Sequence, residues 1–253
     1  VRDANERLEQ RVSERTSQLS ESNRMLKTLS ECNQALIREE DEPKLIEAVC
    51  RILVEDGGFR MAWVGLAEED DGKTVRPAGH WGHEAGYLDA LDLTWADTEK
   101  GGGPTGVAIR KGKTVTVQDI STDPHYGPWR AAAVAQGYAS SIGLPLRSRD
   151  RVLGALRIYA GEPDAFSEDE VRLLEELADD LAFGLTALRM REDHRRVEEA
   201  VREGEARYRK VIDLANGVAY ERDWINGTFT FVDEGIEHLT GYRASEVTPQ
   251  GLK

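Results

Sequence analysis

The chain has 253 residues, enough for one or two domains with cores of their own. It carries 47 acidic against 33 basic residues, a net charge of −14, which speaks against a face that tracks a nucleic-acid backbone. Its two cysteines, Cys32 and Cys50, make neither a disulfide framework nor a zinc site, and no run of about 18 apolar residues is present to span a bilayer. The expectation is a cytoplasmic piece of a longer protein, without nucleic-acid or membrane contacts of its own; a membrane anchor elsewhere in the full protein stays open.

Residues 4–40 are polar with spaced apolar positions. With Leu8 as heptad d, the a and d positions fall on Val12, Arg15, Leu19, Ser22, Leu26, Leu29, Asn33 and Leu36. That is a coiled-coil seam with polar interruptions, which can fix register, and it predicts a homodimer through helices. The alternative is an amphipathic helix packed on its own domain. A second helix is predicted from Asp41 or Glu42 to about residue 56, with Leu45, Ile46, Val49, Ile52 and Leu53 on one face and Gly57-Gly58 at its end. Strands are predicted over 59–67 and 74–82, joined by the acidic turn Glu68 to Gly72. A mixed middle follows: a short helix over 84–91, an irregular loop over 92–103 that carries Trp95, a helix over 104–111, a strand over 114–119, a loop from Pro124 to Pro128 and a short alanine-rich helix over 129–136. Strands over 139–147 and 151–160 flank the polar turn Ser148-Arg149-Asp150. Ser167 and Glu170 spell a capping box that starts a long charged helix running to about residue 203. Beyond it come a short helix around Tyr208–Leu214, strands over 218–223 and 228–232 about Asn226-Gly227, and a helix from Asp233 to Leu239. The order of helix, two strands, mixed middle, two strands and helix indicates an α+β domain with a largely antiparallel sheet rather than βαβ units. The last unit is too short to close a core of its own.

The set Gly103-x-x-Gly106-Val107-Ala108, Val115-x-Val117-x-Asp119-Ile120, Asp123-Pro124, Gly137-Tyr138-Ala139-Ser140-Ser141, Leu144-Pro145-Leu146 and Gly154-Ala155-Leu156 resembles a GAF domain. Residues 205–249, through Glu205-Ala206-Arg207-Tyr208-Arg209, Leu239-Thr240-Gly241-Tyr242 and Glu246, resemble the first half of a PAS domain, and residues 5–40 resemble the signalling helices that join such modules. The implied organisation is a signalling helix over 1–40, a GAF domain over 41–190, a helical linker over 191–206 and the N-terminal part of a PAS domain over 207–253. The resemblance implies a bacterial multidomain sensor of the diguanylate cyclase, phosphodiesterase or histidine kinase type, with a ligand pocket roofed by the middle segment. It names no ligand or cofactor, because fold analogy alone does not. Bilin-binding members use a cysteine inside the domain, whereas Cys50 lies on its first helix and Cys32 before it. The cyclic-nucleotide motif of other members is not recognisable, and the cysteines of the methionine-sulfoxide reductase members are missing.

No catalytic site is read from the sequence. Gly101-x-Gly103-x-x-Gly106 matches a dinucleotide fingerprint in letters but does not follow a strand of a βαβ unit, and the run from Gly106 to Gly112-Lys113-Thr114 has the wrong gap for a phosphate-binding loop. His80 and His83 point to opposite faces of a strand and lack an evident third ligand, so no metal site is assigned. The remaining candidates are aromatic: Trp81, Trp95, Tyr126, Trp129 and Tyr138 fall in or beside the middle segment, each with an apolar body and one polar handle. They either line a small-molecule pocket or pack the core beneath the roof. Asp119 joins them as a contact for a cationic or hydroxylated ligand, or as the cap of the turn Ser121-Thr122-Asp123-Pro124.

Overall fold

A computed structural model of the chain describes residues 2–84, 86–88, 93–149, 151–214, 217–248 and 251–252. The chain divides into two units, Val1–Met190 and Arg191–Lys253.

The first unit is built on a five-stranded sheet in the order β2-β1-β5-β4-β3, with every neighbouring pair antiparallel. The strands are β1 (Met61–Ala67), β2 (Val75–Gly82), β3 (Val115–Val117), β4 (Ser140–Ser148) and β5 (Arg151–Ala160). β1, β4 and β5 lie inside the sheet and are buried along most of their length, as strands covered on both faces are. The edge strand β2 carries Pro77 and is half exposed, and the edge strand β3 has only three residues.

Three helices cover one face: α1 (Arg2–Arg38), α2 (Glu42–Glu55) and α5 (Glu168–Leu214). The Asp41 carboxylate caps α2 by accepting from Lys44 N at 3.2 Å. The capping box of α5 is reciprocal: Ser167 N donates to Glu170 Oε2 at 3.1 Å, and Glu170 N donates to Ser167 Oγ at 3.3 Å. On this side Ala62, Val64, Leu66, Ile142, Leu144, Leu146, Leu156 and Ile158 meet Leu45, Val49 and Leu53 of α2 and Leu174, Leu177, Leu181 and Leu185 of α5 in one apolar core. Two small helices, α3 (Pro104–Lys111) and α4 (Arg130–Ala135), belong to the segment that roofs the other face.

Three sequence expectations change. The C-terminal half of α1 buries Met25, Thr28, Cys32 and Ala35 against its own domain, so the amphipathic alternative holds there. Leu29 and Leu36 pack partly on that core, whereas Val12, Leu19 and Leu26 are more than half exposed; the Leu8 side chain lies outside the described ones. The helix expected to stop near residue 203 and the short one at Tyr208–Leu214 form a single helix, α5, because no proline interrupts the stretch and Gly204 alone does not break a helix. Of the helix expected over 84–91, residues 86–88 form a turn, and 85 and 89–91 lie outside the described residues.

The second unit holds the hairpin β6 (Tyr220–Asp223) and β7 (Thr228–Val232) and the short helix α6 (Ile236–Thr240). Asp223 organises the turn, its carboxylate accepting from the backbone of Ile225 and Asn226 and from Asn226 Nδ2. Gly227 supplies the left-handed residue with φ +69°. Tyr220, Trp224, Ile225 and Phe231 are exposed.

Candidate functional site

Because successive side chains of a strand point to opposite faces, β5 sends Leu156, Ile158 and Ala160 to the helices and Ala155, Arg157 and Tyr159 to the roof. Arg157 is 1% exposed. Its cross-strand neighbours are Trp63 on β1 and Gly143 on β4. Gly143 leaves the room the guanidinium uses: a Cβ there would sit 2.8 Å from Arg157 Nη1 and 3.3 Å from Pro104 O. Nη2 donates to Ser141 Oγ at 3.0 Å, and the guanidinium lies 5.0 Å from the centre of the Tyr159 ring. Nε and Nη1 are buried and make no hydrogen bond among the described residues, and none of the ion pairs there involves Arg157. Arginine does not lose its proton in a protein, so this is a charge held out of water without a counter-charge among the described residues, a state that costs several kcal/mol.

The cavity beside Arg157 is lined by Tyr87, Tyr126, Trp129, Tyr159 and the turn Gly103-Pro104-Thr105-Gly106 that opens α3. It measures about 20 Å³ to the centres of water-sized spheres, room for roughly one or two waters. α3 begins without a capping side chain because its N-cap is Gly103. Pro104 has no N–H, so Thr105 and Gly106 carry the first-turn donors that have no acceptor inside the helix. Gly103 is also where the Trp129 ring packs: a Cβ would meet that ring at 2.7 Å.

The roof is held by polar contacts to backbone. Arg110 Nη1 donates to the carbonyls of Trp95, Ala96 and Gly101, and Arg130 donates to those of Ile120 and Asp123. Beneath it the rings interlock, with Tyr138 and Tyr159 stacked at 4.5 Å, Tyr87 edge-on to both, and Tyr126 edge-on to Trp129 at 6.3 Å. Burial pushes the Tyr87, Tyr126 and Tyr138 hydroxyls above the ordinary phenol range. Burial acts the same way on Tyr159 and is the largest single influence, but the Arg157 charge and the hydrogen bonds from Tyr87, Arg157 and Tyr126 together bring that hydroxyl below the range.

Of the residues singled out in the sequence, Tyr126 and Trp129 line this cavity. Tyr138 is buried next to it, stacked on Tyr159, and its hydroxyl donates to the His83 carbonyl. Trp81 is not brought there: it pairs with Ala62 across β1 and β2 and packs with the helix-side core. Trp95 packs against the roof-side core but is held away from the cavity, its indole N–H donating to Glu68 O at 3.0 Å under the Lys73 ammonium. Asp119 caps its own turn, accepting from Ser121 N, Ser121 Oγ and Thr122 Oγ1, and the two side-chain hydroxyls hold its carboxyl below the usual carboxylate range. Sequence reasoning missed Arg157, Tyr159 and Tyr87 as parts of one site. The signal for Arg157 was present: it is the one charged residue inside the apolar run Val152–Ala160.

The cysteines lie elsewhere. Cys32 on α1 and Cys50 on α2 belong to the helix-side core. Burial, with Asp56 and Glu31 nearby, pushes the Cys32 thiol up to about 12, and burial raises that of Cys50 as well. Among the described residues no group of three or more His, Cys, Asp or Glu side chains is placed to hold a metal ion, and no helix is long and apolar enough to cross a membrane.

Several solved structures share this architecture. One is the free methionine-R-sulfoxide reductase of Neisseria meningitidis in complex with its substrate (TM-score 0.56, 23% identity, 66% of this chain and 90% of that one). A second is the GAF domain of a phosphoenolpyruvate-protein phosphotransferase from Coxiella burnetii (TM-score 0.55, 21% identity, 67% and 96%). A third is the GAF domain of A. aeolicus nlh2 in an inactive state (TM-score 0.53, 16% identity, 66% and 98%). At these identities the likeness carries the fold alone. No curated protein matches the sequence. The GAF domain family matches residues 39–186, the stretch that contains the whole five-stranded sheet and more than half of the chain, and the chain therefore belongs to the GAF domain family.

Proposed function

We propose that this chain is a non-enzymatic sensory and signal-relay region of a bacterial signalling protein of the diguanylate cyclase, phosphodiesterase or histidine kinase type. In this reading the cavity takes a small molecule and biases the packing of helices in a homodimer, and residues 207–253 are the N-terminal part of a PAS domain. The observation that supports it most is the division of one sheet between two tasks. The cavity lies on one face of the sheet, against Arg157 and Tyr159 of β5, and α1, α2 and α5 pack on the other face, so a ligand that shifts either residue acts on a strand those helices rest on. The exposed stripe Val12, Leu19 and Leu26 on α1 suits a second copy of the helix. No catalytic role is assigned: the only cysteines are buried on the helix side, away from the cavity.

The small cavity volume favours a second reading, a ligand-free dimerisation and spacer module. Native mass spectrometry of the 253-residue chain, first gentle and then denaturing, separates them. The sensor reading expects a dimer with extra mass that is lost on denaturation. A bare dimer favours the spacer, and a monomer removes the α1 seam from both.

A further inference from the structure

We infer that the cavity is an anion site: Arg157 and the uncapped N-terminus of α3 together accept the carboxylate of a small organic acid, whose apolar remainder lies against Tyr126 and Trp129. This inference rests on the sensor reading and names the ligand class for its pocket.

Three independent observations converge on it. The first is charge. Arg157 is buried to 1% exposure, Nε and Nη1 have no hydrogen-bond partner among the described residues, and Nη2 donates to the neutral hydroxyl of Ser141. The second is the helix start. Gly103 provides no capping oxygen, so the Thr105 and Gly106 N–H groups and the positive end of the α3 dipole meet the same cavity. The third is space that glycine keeps. Gly143 has no Cβ where one would sit 2.8 Å from Arg157 Nη1 and 3.3 Å from Pro104 O, so the space between β4 and the start of α3 stays open to the guanidinium. Lys100 also lines the cavity, so the preference for a flat carboxylate over a bulkier tetrahedral phosphate rests on the volume of about 20 Å³. Trp129, half-buried, is the aromatic of the lining that also reaches solvent, so it is the side chain that moves aside for the rest of the ligand.

The test compares thermal unfolding of the full chain in sodium propionate and sodium benzoate with that in propionamide, benzamide, sodium phosphate and sodium chloride at matched ionic strength. The expected result is saturable stabilisation by the two carboxylates and none by their neutral amides. Arg157→Met removes a buried unpaired charge, so it is expected to fold at least as stably as the parent without ligand and to bind the carboxylates about tenfold more weakly or worse. Equal effects of amides and acids, a response to phosphate alone, or unchanged binding by Arg157→Met would each overturn the assignment. So would a tyrosinate absorbance at neutral pH that vanishes in Arg157→Met, because Tyr159 would then be the counter-charge. Should that variant fail to fold, the Arg157 Nε–H resonance of the parent chain decides: it must shift saturably with propionate and not with propionamide. A neutral molecule in the native mass spectrum would sink the anion assignment and leave the sensor reading standing. Carboxylate binding with no change in helix packing or mass would keep the anion site and remove the relay.

Discussion

The two faces of the central sheet are made from the same strands and hold opposite chemistry. Toward α1, α2 and α5 the inner strands present Val64, Leu144, Leu146, Leu156 and Ile158, and long helices close over them with leucines. Toward the roof the alternate positions are Trp63, Ser141, Gly143, Arg157 and Tyr159, and the cover is short helices and loops pinned through Arg110 and Arg130. The first face stabilises by burial of apolar area at about 25 cal/mol per Å². The second gives up part of that gain to bury the Arg157 charge beside a helix start that no side chain caps. A pleated strand allows this division because its two sets of side chains answer to different neighbours.

The largest effect is expected on the helix face. Leu156→Ala leaves a cavity between β5 and α5 and should lower unfolding free energy by about 2–5 kcal/mol in a denaturant titration, with little change at the roof. Gly143→Ala tests the other face. Its methyl group would displace Arg157 Nη1, and the cost should be smaller, about 1–3 kcal/mol, with altered fluorescence of the roof tryptophans as the local sign. If Gly143→Ala proves as silent as a surface change, the roof face is looser than the comparison requires. The smallest effect concerns Asp119, which caps its own turn. Its carboxyl ionises more easily folded than unfolded, so its contribution is present above the ordinary aspartate pKa and is lost as pH falls through the lower folded value. Parent and Asp119→Asn should therefore differ slightly at neutral pH and converge in acid. A gap that widens on acidification would contradict the turn-cap role.

Much of the fold was legible. The apolar runs at 59–67, 139–147 and 151–160, the Asp41 and Ser167 caps and the helix at Pro104–Lys111 rest on local periodicity and hydrogen bonding, and these elements stand where the residues placed them. The site was legible only in part. Tyr126 and Trp129 were singled out as aromatics of the middle segment with an apolar body and one polar handle, and both line the cavity. Trp81 was misjudged as a neighbour of the roof, although its register opposite Ala62 sends it to the helices. Trp95 was grouped by proximity in sequence, while the Glu68 carbonyl draws its indole away.

What the sequence by itself determined is therefore the kind of domain: antiparallel α+β, acidic, with long amphipathic helices at either side and a roof rich in aromatics and glycine. These follow from patterns that span a few residues each. Only the tertiary structure decided which of those residues share a cavity, that Arg157 lines it together with the start of α3 and has no counter-charge among the described residues, and that half of α1 packs on its own domain. Each of those facts depends on strand register and on contacts between segments tens of residues apart, and local preference carries no information about either.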